Sequence, residues 1–245
     1  ESLERVAEEY EKYKKEGHTL LHLDHVPVID EDHLEVDYLP IIERAIKAGY
    51  QSVMVDASRL SLEGNIAATK AVCDIAHAAG IPVEAELGAV MGHETAQAAI
   101  PYEEIFEKKM GFTTVEDATK FVRESDCDWL SVAVGSVHGA IAANLLDKKK
   151  PAAKLDIERI AELEAALDIP LVLHGGSGIE NDYILKGIQA GIAKINVGTE
   201  LRQPYERAMR EKNDVEYARE CVYKRCRELI RDFLHTAGDA EILAK

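Results

Sequence analysis

Pro170-Leu171-Val172-Leu173-His174-Gly175-Gly176-Ser177-Gly178 holds a whole structural unit in one short stretch. An apolar run stops at a histidine, a glycine-rich turn follows, and residues 182–190 then show helical periodicity. A short apolar run of this kind fits a parallel strand covered on both faces. Outward from this stretch the pattern recurs. Strand-like runs lie at 19–24, 52–56, 83–87, 129–134, 170–173 and 193–197, with amphipathic stretches at 37–48, 65–79, 114–124, 156–168 and 182–190. Helical patterns also open the chain at 4–15 and close it from about 200 to 234. Ala48-Gly49, Ala79-Gly80 and Ala190-Gly191 each read as a helix end, with glycine as the left-handed stop. Thr113-x-x-Glu116 reads as a capping box. Alternating helices and strands predict a parallel α/β fold, either an open doubly wound sheet or a closed barrel. A closed (β/α)8 barrel needs two more strands than these runs supply. No low-complexity linker interrupts the series, so residues 1–245 read as a single domain, with 200–245 as its helical extension.

The totals narrow the function. A formal net charge of -16 argues against nucleic acid or anionic membrane as a partner, since both select clustered Lys and Arg. It leaves room for a small anion held by backbone N–H groups. The four cysteines, Cys73, Cys127, Cys221 and Cys226, form no CxxC pair and read as reduced thiols of a cytoplasmic protein. No run of apolar residues is long enough to span a bilayer, and no signal peptide is evident.

Chemistry-bearing residues gather at one end of each strand-like run. Asp24-His25 end the first, Asp56 and Ser58 the second, and Glu84 and Glu86 lie in the third. The fourth runs into Gly135-Ser136-Val137-His138-Gly139, the fifth into His174-Gly175-Gly176-Ser177, and the sixth into Asn196-Val197-Gly198-Thr199. The C-terminal ends of parallel strands are where sites form. Of nine histidines, His25, His138 and His174 sit at three such ends, and three imidazoles with an open position suit a catalytic divalent cation. His22, in the same strand as His25, reads as structural. Asp24 adjoins a proposed ligand, so both can act only if the strand is ending there; it reads as an acid/base or as a hydrogen-bonding support. The two glycine-containing loops at 175–178 and 196–199, each leading into a helix, read as a phosphate cradle.

These motifs, from Leu21-His22-Leu23-Asp24-His25 through Ser52-Val53-Met54-Val55-Asp56-Ala57-Ser58, Val83-Glu84-Ala85-Glu86-Leu87-Gly88 and Gly135-Ser136-Val137-His138-Gly139 to Leu173-His174-Gly175-Gly176-Ser177-Gly178 and Ala193-Lys194-Ile195-Asn196-Val197, resemble the class II, zinc-dependent ketose-bisphosphate aldolases. The resemblance extends over about residues 19–203, in the family's order. It implies a TIM (β/α)8 barrel whose first two strands are missing from this chain. It implies Zn2+ held by His25, His138 and His174, with Asp56 and Glu86 at an alternative or second metal position, and leaves a monovalent cation possible. Asp24 becomes the proton donor and acceptor, and Glu94 the acid/base glutamate of the loop after the third strand. Gly139, Gly175, Gly176, Ser177, Asn196, Val197, Gly198 and Thr199 become the dihydroxyacetone phosphate site. The family usually forms dimers or tetramers. Val26 stands where a Gly is usual, Arg59 where a His is common, and Met91-Gly92-His93-Glu94 departs from the usual Gly-Gly pattern.

The implied reaction is reversible cleavage of a fructose- or tagatose-type ketose 1,6-bisphosphate to dihydroxyacetone phosphate and an aldehyde phosphate. Three other readings stand beside it. They are Schiff-base aldol chemistry on Lys194, a metal-dependent sugar-phosphate epimerase or isomerase on the same barrel, and a non-catalytic phospho-sugar-binding protein.

Overall fold

The computed structural model describes residues 2–88, 101–136, 153–239 and 242. After α1 (Leu3–Tyr13), strands and helices alternate: β1 (His22–Pro27), α2 (Tyr38–Lys47), β2 (Ser52–Asp56), α3 (Leu62–Ala78) and β3 (Val83–Leu87). Then come α4 (Tyr102–Glu107), α5 (Val115–Ser125), β4 (Trp129–Val132), α6 (Ile157–Ala166), β5 (Leu171–Leu173), α7 (Asn181–Gln189) and β6 (Ile192–Ile195). The chain closes with α8 (Thr199–Lys212), α9 (Val215–Glu228) and a π-helical turn, Leu229–Phe233.

The strands form one parallel six-stranded sheet in the order β1-β2-β3-β4-β5-β6. Each strand neighbours the next, as in a barrel arc, and no pairing among the described residues joins β6 to β1. The two faces differ because side chains alternate along a strand. Val53, Val55, Val83, Ala85, Leu87, Leu130, Val132, Leu171 and Leu173 share one cluster with Ile42, Val72, Phe121, Ile160, Leu163 and Ile184 of the covering helices. Burying such side chains stabilises the fold by roughly 1.5–3 kcal/mol each. Alternation then puts Met54, Glu84, Glu86 and Ser131 on the other face, all of them buried. The layout thus forces polar groups into the interior on one side of the sheet, where they must pair with one another.

Local signals explain most boundaries. Gly49, Gly80 and Gly191 have positive φ just past α2, α3 and α7, as their Ala-Gly phrases predict. The capping residue of α5 is Thr114, not Thr113: its hydroxyl accepts from Asp117 N at 3.0 Å. Thr113 is diverted to the sheet, where its buried hydroxyl donates to Leu87 O and accepts from Ala133 N at 2.8 Å. The closing helical pattern is broken at Asn213, which takes a left-handed conformation, and Asp214 caps α9. No described helix is long and apolar enough to cross a membrane.

Candidate metal and acid–base site

β1 and β2 pair as His22 with Ser52 and Leu23 with Val53, and then as Val26 with Val55. Two residues of β1, Asp24 and His25, therefore stand opposite Met54 alone, which is a bulge. His25 has φ of 48°, unusual for a residue other than glycine. The strand does not end at Asp24, as expected from the sequence; it continues to Pro27. The bulge rather than a strand end lets neighbouring residues serve one site.

Two imidazoles meet there. His25 Nε2 and His174 Nδ1 are 2.9 Å apart, with ring centroids at 4.7 Å and the rings nearly edge to face. The outer nitrogen of each ring faces a carboxylate. His25 Nδ1 lies 3.1 Å from Asp56 Oδ2, and His174 Nε2 lies 2.8 Å from Glu84 Oε1. An ionised carboxylate only accepts, so each outer nitrogen carries the hydrogen; Glu86 Oε2 stands farther off, 3.3 Å from His174 Nδ1, and each inner nitrogen presents a lone pair. Two lone pairs face each other across that short gap, an arrangement that needs a proton or a cation between them. A ring held from behind by a carboxylate is the usual state of a metal-binding histidine. The donor set therefore fits a divalent cation.

The charges agree. Burial works against a charged His25, but Asp56 and the nearby Glu86 and Asp24 outweigh it and raise His25 to about 9. Burial opposes ionisation of Asp56, yet hydrogen bonds from His25 and from Ser58 N and Oγ hold it well below the carboxylate range. Burial, joined by the charge of Asp56, pushes Glu86 up to about 8. Four acids, Asp24, Asp56, Glu84 and Glu86, crowded around two imidazoles form a site of excess negative potential, which a cation relieves. Two groups share His25 and bring their ligand atoms within 4.8 Å of one another: Asp24, His25 and His174, and His25, Asp56 and Glu86.

Asp24 is the exposed member of the site, and its Oδ1 accepts from Asn196 Nδ2 at 2.9 Å. Asn196 is oriented in turn by Lys194, whose Nζ donates to Asn196 Oδ1 at 2.7 Å. Lys194 also donates to Glu84 Oε2 at 2.8 Å. His22, which the sequence reads as structural, lies beside the same groups. Its Nδ1 meets Ser52 Oγ at 2.8 Å, while Nε2 lies 3.5 Å from Glu84 Oε2, and His22, Asp24 and Glu84 form a third compact group. Burial lowers the His22 pKa.

The glycine loops frame the same rim. Gly175 and Gly178 have positive φ. The Gly176 amide, however, donates to Asn196 O at 3.2 Å, so it serves to lock the two loops together. A Cβ there would lie 2.7 Å from Ile195 Cγ2. Buried Ser177 accepts from Glu200 N at 3.4 Å in the first turn of α8, which begins after Gly198 without a side-chain cap of its own. Asn196, Val197 and Gly198 form the turn between β6 and α8, and Thr199 opens the helix. His138, Gly139 and Glu94 lie outside the described residues.

Glu84, which the sequence placed in the third strand without a role, and Lys194, which it offered as a Schiff-base nucleophile, instead hold His174 and Asn196. The available signal was the spacing of Glu84 from Glu86, which puts both on one face of β3.

A family model described as class-II fructose-bisphosphate aldolase matches residues 1–240. The YdjI aldolase from Escherichia coli K12 is 31% identical and superposes with a TM-score of 0.75, covering 98% of this chain and 78% of its own. The fructose-bisphosphate aldolase Fba from Campylobacter jejuni shares the fold at 20% identity, with a TM-score of 0.69 over 95% of this chain and 75% of its own.

Proposed function

Since the chain belongs to the class II fructose-bisphosphate aldolase family, we propose that it catalyses metal-dependent, reversible aldol cleavage of a ketose 1,6-bisphosphate of the fructose or tagatose type. The observation that carries this reading is the pair of inward-facing imidazole nitrogens of His25 and His174, with Asp24 on the same bulge.

We assign His25 and His174 as metal ligands, with His138 as the third. Zn2+ is the ion this nitrogen-rich set suits best. Asp56 and Glu86 give a second position through the group they form with His25. When bound, the cation supplies Lewis acidity to the ketose carbonyl.

The protein residues do the rest. Asp24, held by Asn196, takes the proton from the hydroxyl of the departing aldehyde and returns it in the synthetic direction. Ser177, Gly175, Gly176, Gly139 and the 196–199 turn bind the dihydroxyacetone phosphate portion, and the start of α8 adds its dipole. Gly176 contributes through close packing, since its amide is engaged. Binding energy gathered at the phosphate fixes the carbon skeleton against Asp24. Glu94 is the candidate acid/base for the proton exchanged on the three-carbon fragment. Lys194 is tied as an ammonium to Glu84, which speaks against its use as a Schiff-base nucleophile.

The substrate is a small phosphorylated sugar, and the working form a cytoplasmic dimer or tetramer. The exposed Val215, Tyr223 and Ile230 of the closing helices support self-association.

The test is product analysis on metal-replete protein offered fructose 1,6-bisphosphate and tagatose 1,6-bisphosphate, with and without EDTA. Dihydroxyacetone phosphate released from one of them, and lost with the chelator, is the expected result. A six-carbon product alone would replace cleavage with epimerisation or isomerisation. Turnover that survives EDTA and is trapped by borohydride would refute the metal assignment.

A further inference from the structure

Glu84 is fully buried in the middle of the sheet. An ionised carboxylate there costs several kcal/mol unless its oxygens are well paired, and an apolar side chain of similar size would fill the space more cheaply. Its contacts account for the cost. Oε1 lies 2.8 Å from His174 Nε2, the ring nitrogen that faces away from His25. Oε2 accepts from Lys194 Nζ at 2.8 Å, and His22 Nε2 stands 3.5 Å away. Glu84 belongs to neither of the groups that converge with His25, so it is not placed as a ligand beside that ring. It acts on the far side of His174.

We propose that Glu84 is a positioning residue for the metal site: its Oε1 fixes the tautomer and rotation of the His174 ring, and Lys194 supplies the counter-charge that keeps this carboxylate in place. The inference rests on the metal-dependent reading of the site.

The geometry explains why one contact matters so much. An imidazole can rotate about χ2 and can carry its hydrogen on either nitrogen. If the Nε2 hydrogen moved to Nδ1, the lone pair facing His25 would vanish, and with it one ligand. The Glu84 carboxylate accepts only and stands 2.8 Å from Nε2, closer than Glu86 Oε2 stands to Nδ1 at 3.3 Å, so it selects the Nε2–H form. Asn196 Nδ2 lies 3.0 Å from the same ring nitrogen, but it too is a donor and offers that hydrogen no acceptor. Lys194 fixes that assignment by donating to Asn196 Oδ1. Among the described contacts of His174 Nε2, the selection therefore falls to Glu84.

The experiment compares wild type with Glu84→Gln, and with Lys194→Met as a second variant. The readouts are Zn2+ affinity, by competition with a chromophoric chelator, and the visible absorption of the Co2+-loaded proteins. Far-UV circular dichroism and melting of the metal-free proteins report folding. Glu84→Gln is expected to bind Zn2+ about 10–100-fold more weakly, the range for loss of a carboxylate behind a metal histidine, with a changed Co2+ spectrum. Lys194→Met is expected to weaken binding in the same direction by a smaller factor. If Glu84→Gln melts earlier while its metal affinity and Co2+ spectrum stay those of wild type, Glu84 serves the fold alone and the proposal fails. If that variant does not fold, Lys194→Met decides, with unchanged affinity and spectrum overturning the proposal. Failure of the aldolase reading would look different: metal-loaded wild type would bind Zn2+ and leave ketose bisphosphates intact.

Discussion

Gly135 gives a demanding test of the packing that leads into the fourth rim loop. Its φ is +109°, and a Cβ built on it would sit 2.5 Å from Lys154 O and 2.7 Å from Phe106 Cε2. The first obstacle is backbone and cannot swing aside as a side chain would. Gly135 O also accepts from Tyr102 OH at 3.0 Å, and Tyr102 OH accepts from Lys154 N at 2.7 Å, so the three segments are tied together. Gly135→Ala therefore meets two costs. Left-handed backbone costs a non-glycine residue roughly 1–2 kcal/mol, and overpacking adds about 1–3 kcal/mol, giving about 2–5 kcal/mol. Gly49 is the matched control. Its φ is +93°, yet nothing lies within 4 Å of its would-be Cβ, so Gly49→Ala meets only the first cost. For a chain of this size each kcal/mol shifts Tm by about 2–4 °C, so the control should lose a few degrees and Gly135→Ala clearly more. Urea melts of metal-free protein, analysed for midpoint and slope, measure the difference. Equal losses in the two variants would mean that the Lys154 carbonyl does not press on Gly135, and the reasoning would be wrong. The cleavage rate of Gly135→Ala should also fall, because Ser136 and the proposed ligand His138 follow directly.

Three more outcomes are expected. Asp24→Asn should lower kcat by about 10²–10⁴-fold, the usual worth of a positioned acid/base, while steady-state assays and chelator competition find metal affinity changed only a few-fold. Asp56→Asn removes the negative charge behind His25 and puts an amide that can also donate in place of an accept-only carboxylate; it should weaken Zn2+ binding about 10–100-fold by the same competition assay, with smaller effect on the melting of metal-free protein. Burial raises the Cys127 thiol from 9.0 to about 11; the folded state favours the neutral thiol, so this stability is present below pH 9 and disappears as pH rises through about 11. Melting temperatures from pH 8 to 11 should fall, and Cys127→Ala should remove on the order of 2 kcal/mol of that slope. A slope identical to that of wild type would contradict the burial argument.

The residue pattern made the α/β class and the succession of strands and helices along the chain plain, while the order of strands in the sheet came from the structure. Apolar runs and 3.6-residue periods report local burial, and each strand was recognisable from its own few residues. The rim residues were legible for the same reason: Asp24, His25, Asp56, His174 and Asn196 interrupt apolar runs where nothing in the packing asks for polar groups. The short α4 escaped notice, since six residues give too little periodicity to read. Thr113 and Thr114 look alike as caps until Leu87 O and Ala133 N claim the first. What only the tertiary structure decided is how separate segments meet. The bulge at Asp24-His25 appears once β1 is laid on β2, because it is a mismatch between two strands. The Glu84–His174 contact joins residues 90 positions apart, and the His25–His174 contact residues 149 apart. Composition along the chain records which groups are buried; the direction each buried polar group faces is set by partners that become neighbours only when the sheet has formed.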